Sequence, residues 1–199
     1  SGFIIASLLL LSGCHSDNDA VEDEWTATYV YLQRVDYLTP SPKIFRIDHT
    51  DEGLSAGVDM PFVVKTQKPT SQDVRVNIEL RNAKASNVGL ELQDKTGKKI
   101  ETSQILIKAG EQHSDTFHIV ATKINELKKN EQKVSLNFDV ALTSIETAQA
   151  NTYISSIPDL NDLTAKIEKG ALQTMKMGEP EVNNVLDRSS WTITLSEGA

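Results

Sequence analysis

The sequence predicts an all-β protein, an immunoglobulin-like β-sandwich of about seven to eight antiparallel strands preceded by a signal segment and a flexible tether. Three observations predict it. Val74-Val76-Ile78-Leu80 alternate with Arg75-Asn77-Glu79-Arg81, and Val134 to Leu142 repeats the pattern, so each run offers one apolar and one wet face. Turn-forming Gly, Pro, Asn and Asp clusters separate such runs at sandwich-like spacing. No long helical periodicity interrupts them between Trp25 and Ile157. Two sheets with one apolar face each bury those faces by packing together. A Greek-key sandwich is the leading topology and a barrel the alternative.

Trp25 to Gln33 is rich in aromatic and β-branched residues and opens the domain as a strand. Thr39-Pro40-Ser41-Pro42 breaks the chain. Lys43 to His49 is a short strand and Asp51 to Gly57 a loop. Met60 to Gln67 is the next strand, with Pro61 near its start, where proline is tolerated. The alternating run from Val74 follows, then a turn or brief helical segment over Ala83 to Ser86. Gly89 to Gln93 is an edge candidate and Lys95-Thr96-Gly97-Lys98 a hairpin turn. Gln104 to Lys108 leads through Ala109-Gly110-Glu111 into Ser114 to Ala121, and Gly110 supplies the backbone freedom of the tight turn. Thr122 to Gln132 is charged, with Ile124 and Leu127 three apart, and reads as a short helical turn crossing one end. Lys133 to Thr143 and Thr152 to Ile157 complete the strands. Beyond Pro158, the spacing of Leu160, Leu163 and Ile167 predicts a short helix over 159–170, capped by Asp159 and stopped by Gly170. Arg188 to Ser196 reads as a fresh strand.

The amino terminus is an address. Phe3 to Leu11 is apolar and uncharged. A bilayer-spanning helix needs about 20 such residues, whereas a signal-peptide core needs roughly 7–15. The sequence starts at Ser1 without a basic leader, so a few initial residues are expected to precede it. Leu11-Ser12-Gly13-Cys14 resembles the bacterial lipobox, in which small residues precede a cysteine that is diacylglycerylated and becomes the new amino terminus. The resemblance implies that Cys14, the only cysteine, is a lipid-attachment site. Several acyl chains anchor stably, because each buried CH2 adds about 0.8 kcal/mol. Asp17 to Glu24 carries five acidic and no basic residues, as a solvated tether would. It also resembles the acidic export signals of Bacteroidetes surface lipoproteins. The expected organisation is signal peptide 1–13, acidic tether 14–24, β-sandwich 25–157, and a linker with the start of a truncated second module over 158–199.

Composition excludes several functions. The net charge of -8 argues against nucleic acid, which requires clustered Lys and Arg. The histidines His15, His49, His113 and His118 have no zinc-ligand spacing, and no metal or other cofactor is expected. Neither a Gly-x-Ser-x-Gly elbow nor a phosphate-binding glycine loop is present, and no catalytic residue is identified. Asp159-Leu160-Asn161-Asp162 fits turn or capping chemistry better than a calcium loop. Trp25, Tyr29, Tyr31 and Tyr37 are the sugar-stacking candidates. Trp25, Tyr29 and Tyr31 share strand parity, and a core face suits them better than a binding platform.

Together, the lipobox, the acidic tether, Trp25–Leu32, the strand-turn of Ile105–Gly110 running on to Phe117, and Val134–Leu142 resemble an uncharacterised family, the N-terminal β-sandwich domain of Bacteroidales surface lipoproteins. Ser190-Trp191-Thr192-Ile193-Thr194 is similar to the start of a discoidin-type carbohydrate-binding domain. The resemblance covers residues 14–157 and supplies no ligand site. It implies a non-catalytic surface module for glycan binding or adhesion in polysaccharide acquisition, held in the outer membrane through Cys14 and exposed at the cell surface. The membrane is then one partner, and polysaccharide or other surface proteins are further ones. The alternatives are a structural spacer that presents a C-terminal domain and the N-terminal part of a carbohydrate-active enzyme.

Overall fold

A computed structural model describes residues 26–38, 41–81, 86–100, 103–177 and 193–197. Cys14, Trp25 and Trp191 lie outside these residues, as do the signal and tether segments. The described chain is an all-β sandwich. In order, its strands are β1 (Thr28–Arg34), β2 (Lys43–Thr50), β3 (Gly53–Leu54), β4 (Asp59–Thr66), β5 (Val74–Arg81), β6 (Leu90–Asp94), β7 (Gln104–Ile107), β8 (Phe117–Ala121), β9 (Val134–Thr147), β10 (Thr152–Ile154), β11 (Asp162–Met177) and β12 (Ile193–Glu197).

The first sheet has the order β10-β1-β4-β8-β6. The second has the order β3-β2-β11-β9-β5-β7, with β12 also paired to β11. The apolar residues of the alternating runs meet between them. Val30 and Leu32 of β1, Met60, Phe62 and Val64 of β4, and Ile119 of β8 face Val74 and Val76 of β5, Phe138 and Val140 of β9, and Ala165 and Ile167 of β11. Each such fully buried large side chain contributes about 1.5–3 kcal/mol. Phe45 stacks on Phe138 at 6.4 Å between ring centroids, which ties β2 to the middle of its sheet.

The turn chemistry holds where it was expected. Gly97 and Gly110 adopt φ of 82° and 84°, the left-handed region that glycine enters without steric cost. The charged segment after β8 forms a single 3-10 turn, Ile124–Lys129, with Leu127 buried against the core.

Four expectations change. The fold has more strands than seven or eight, and they are not all antiparallel: β1 runs parallel to β10, and β2 parallel to β11. Sequence alternation finds strands but carries no information about their direction. The predicted helix over 159–170 is instead the first half of β11. Leu160, Leu163 and Ile167 happen to fit a helical stripe, but Leu163, Ala165, Ile167 and Lys169 alternate inward as a strand. The sandwich therefore does not close at Ile157. β11 lies between β2 and β9, in register with β9 from Asp162↔Ala141 to Lys169↔Val134, so it belongs at the centre of the second sheet. Finally, the strand expected near the end pairs antiparallel with β11, from Gln173↔Glu197 to Met177↔Ile193. It extends the same sheet instead of standing apart as a fresh strand.

Candidate functional site

The inward residues of β1 are Thr28, Val30, Leu32 and Arg34. Strand side chains alternate, so once Val30 and Leu32 enter the core, Tyr29 and Tyr31 must point outward. This reverses the expectation that these two tyrosines belong to the core. β1 has two sets of large residues, and only the opposing sheet decides which set is covered. Here it is the set centred on Val30 and Leu32 that is covered, with Thr28 and Arg34 buried at its two ends.

The outer face is organised by the register of three strands. Tyr29 stands opposite Tyr153 of β10, with ring centroids 6.2 Å apart and planes tilted by 42°. The two rings are 40% and 51% exposed, which is a large area of solvated aromatic surface. Tyr31 stands opposite Lys65 of β4, and the Lys65 ammonium lies 6.0 Å from the Tyr31 ring centroid, within cation-π range. On its other side, the Lys65 backbone stands opposite His113 in an isolated antiparallel β-bridge. The His113 Nδ1 is 2.8 Å from the Ser114 carbonyl oxygen, so the imidazole donates there and turns its Nε2 edge away.

Backbone hydrogen bonds hold this face along the edge of β1. Thr28 N donates to the Asn151 carbonyl (2.8 Å), Ser155 N to Val30 (2.9 Å), and Leu32 N to Leu160 (2.7 Å). Asn151 and Asp159 both sit at positive φ, 54° and 65°. Asn and Asp are the non-glycine residues that tolerate this region best. These two kinks let the chain run along β1 and then cross to the other sheet as β11.

At that crossing a cleft of about 320 Å³ opens, lined by Tyr31, Gln33, Tyr37, Ser41, Asp159 and Thr164 among others. The Ser41 hydroxyl donates to Asp159 Oδ1 (2.9 Å) and lies 3.2 Å from the Thr164 hydroxyl. Tyr37 and Leu38 in the turn after β1 are 62% and 86% exposed. Of the seven exposed large hydrophobic side chains among the described residues, only Leu106 lies outside β1, the turn after it and the 153–157 segment. The arrangement offers flat rings for an apolar face and, beside them, a carboxylate and two hydroxyls for polar groups.

A second polar cluster is of another kind. Lys169 is 2% exposed. Its Nζ donates to the carbonyls of Asn130 (2.8 Å) and Gly170 (2.7 Å) and lies 3.2 Å from His49 Nδ1. Three donors meet three neutral acceptors, so His49 is neutral with its proton on Nε2. Burial holds the Lys169 pKa below its usual value. Burial, and then the charges of Lys169 and Lys128, hold that of His49 below 6.5. No donor of Lys169 is left for a ligand, so this cluster is part of the packing. Elsewhere, His118 pairs with Asp59 at 2.8 Å on the surface of the first sheet. Among the described residues no group of three or more His, Cys, Asp or Glu is placed to hold a metal ion.

Of the sequence-derived candidates, the structure brings Tyr29, Tyr31 and Tyr37 to one edge and places Asp159 in the cleft beside them. It does not describe Cys14 or Trp25. Tyr153 and Lys65 were not among those candidates. Tyr153 joins the site only through a parallel pairing between distant strands, and Lys65 only through the register of β4 on β1.

The model of DUF4999, a domain of unknown function, matches residues 1–68, a span that includes β1 to β4. No curated protein matches the chain. Among solved structures, the chain is similar to a two-domain protein of unknown function from Bacteroides fragilis (14% identity, covering 83% of this chain and 53% of that one, TM-score 0.48). It is also similar to a candidate carbohydrate-binding protein from Bacteroides ovatus (17% identity, 77% and 40% covered, TM-score 0.40). A third similarity is to the CooA pilin subunit of enterotoxigenic Escherichia coli (13% identity, 72% and 98% covered, TM-score 0.37). The chain spans about half the length of the first and two fifths of the second. All three TM-scores lie below 0.5, and none of these likenesses bears on what the chain does.

Proposed function

We propose that this chain is a non-catalytic glycan-binding module of a surface lipoprotein, anchored through Cys14 in the outer membrane and exposed to the medium. One observation carries the binding reading: Tyr29 and Tyr153 pair on the outer face of the first sheet as solvated rings. A pyranose ring has an apolar C–H face that stacks on an aromatic ring, and a rim of hydroxyls that needs hydrogen-bond partners. The tyrosines supply the first and Ser41, Asp159 and Thr164 the second. Solvent-exposed rings in register are costly to keep on a soluble surface without a ligand, since they are an association hazard.

A polysaccharide array probed with the full chain tests the reading. Binding to at least one polysaccharide, reduced by Tyr29→Ala, is the expected result. A flat signal across all glycans contradicts it and leaves the spacer role. The anchor has a separate test. Cys14→Ser is expected to move the protein from the membrane fraction to the soluble one and to abolish labelling by a palmitate analogue. Retained labelling contradicts lipid attachment at Cys14.

A further inference from the structure

We infer that the outer face of the first sheet selects glycans bearing anionic groups, with the Lys65 ammonium as the selecting charge. This rests on the glycan reading and specifies its ligand class.

The protein carries 28 acidic and 20 basic residues, so an average patch of its surface is negative. The face built on β1 departs from that average. Its registered residues are Tyr29 with Tyr153, Tyr31 with Lys65, Gln33 with Val63, and Lys65 with His113. None of these is acidic; the nearby carboxylates are Asp59, which is paired with His118, and Asp159, which accepts from the Ser41 hydroxyl.

Lys65 is the informative member. Most other lysines described with a partner face a carboxylate or a carbonyl: Lys43 pairs with Asp36, Lys95 with Asp115, Lys129 with Glu126, and Lys166 with Glu168. Lys65 is held instead against the Tyr31 ring. A ring positions an ammonium without neutralising it, so the charge remains available to a ligand. Tyr31 thus acts as a post for the cation, and the stacking surface is the adjoining Tyr29–Tyr153 pair. A sugar lying on those rings brings a carboxylate or sulfate toward Lys65, and the ion pair gains strength because the sugar and the rings exclude water around it.

The full chain, purified in detergent, is titrated with polygalacturonate, a sulfated galactan and the neutral glucan pullulan. The expected result is binding to one or both anionic polymers that weakens as salt is raised. Lys65→Met lowers that binding about tenfold, as loss of one charge-assisted contact does, and Lys65→Arg restores it. The two anionic arms separate carboxylate from sulfate recognition. Pullulan binding that depends on Tyr29 but not on Lys65, without preference for the charged polymers, overturns the inference and leaves the glycan reading standing. No binding to these polymers or to any other glycan overturns both. Anionic binding unchanged by both Lys65→Met and Tyr29→Ala places the contact elsewhere and overturns the inference. Lys65 is only half-buried, so the variants are expected to keep the wild-type thermal midpoint, and Lys65→Arg separates charge from fold if Lys65→Met does not.

Discussion

Lys65 and Lys169 are both lysines without a carboxylate partner, and the contrast between them separates packing from function. Lys169 lies inside the second sheet, and all three of its donors are used by Asn130, Gly170 and His49. Lys65 lies on the outside of the first sheet, against a tyrosine ring that leaves its donors to solvent. The first ammonium is costly to bury and is retained because every proton has an acceptor. The second costs little to expose and has nothing to hold it except a ring. An unusual lysine is therefore informative about binding only when its donors are not already used.

The comparison is broken most severely at Lys169. Lys169→Ala removes buried methylenes and strips two carbonyls and His49 of their donor, and is expected to lower stability by about 3 kcal/mol in a urea titration. Unchanged stability would mean that the cluster is not part of the packing. The same cluster has a pH signature. His49 is held below 6.5 by burial and by the Lys169 and Lys128 charges, while Glu131 and Asp51 oppose them. The unfolded chain thus takes up a proton at His49 before the folded one does. Stability is expected to fall as pH drops below 6.5 and to level off below the folded value. His49→Asn should remove that part of the slope, measured as the difference between two urea series. A slope identical in the two proteins would contradict it. Lys169 acts in the opposite range. Its lowered pKa means the folded chain releases that proton first, so its contribution makes stability rise as pH climbs toward 10.5.

At the outer face the expected effects move from stability to binding. Tyr29→Ala and Tyr153→Ala should each weaken glycan affinity about tenfold, roughly 1.4 kcal/mol. Each should change folding stability by less than about 1 kcal/mol, because the rings are half in water. The smallest stability effect is expected for Lys65→Met, within about 0.5 kcal/mol. A larger loss in any of these would return the residue to the packing side of the comparison.

How far the fold was legible depends on which rule each segment obeyed. Val74–Arg81 alternates and is a strand at the expected bounds, whereas the strand expected over Lys133 to Thr143 runs on to Thr147, and Val140, Ala141 and Leu142 are buried in succession. Segment 159–170 failed because three apolar residues satisfied a helical period while a strand period ran through Leu163, Ala165, Ile167 and Lys169. The lysine at the last inward position hid the alternation, and only its buried acceptors explain it. The site was less legible than the fold. Tyr29 and Tyr31 were visible as a pair on one face of β1, but which face meets the core depends on the opposing sheet. Tyr153 and Lys65 are carried to that face by pairing between strands far apart in the chain, which local pattern does not encode.

The most direct measurement is isothermal titration of the full chain and of its Tyr29→Ala/Tyr153→Ala variant with a polysaccharide that the wild type binds. The double variant is expected to lose at least the tenfold in affinity that either single variant loses, because the two rings are in contact and form one surface, while its thermal midpoint stays near that of the wild type. Equal affinity in the two proteins would show that the paired tyrosines are not the binding surface.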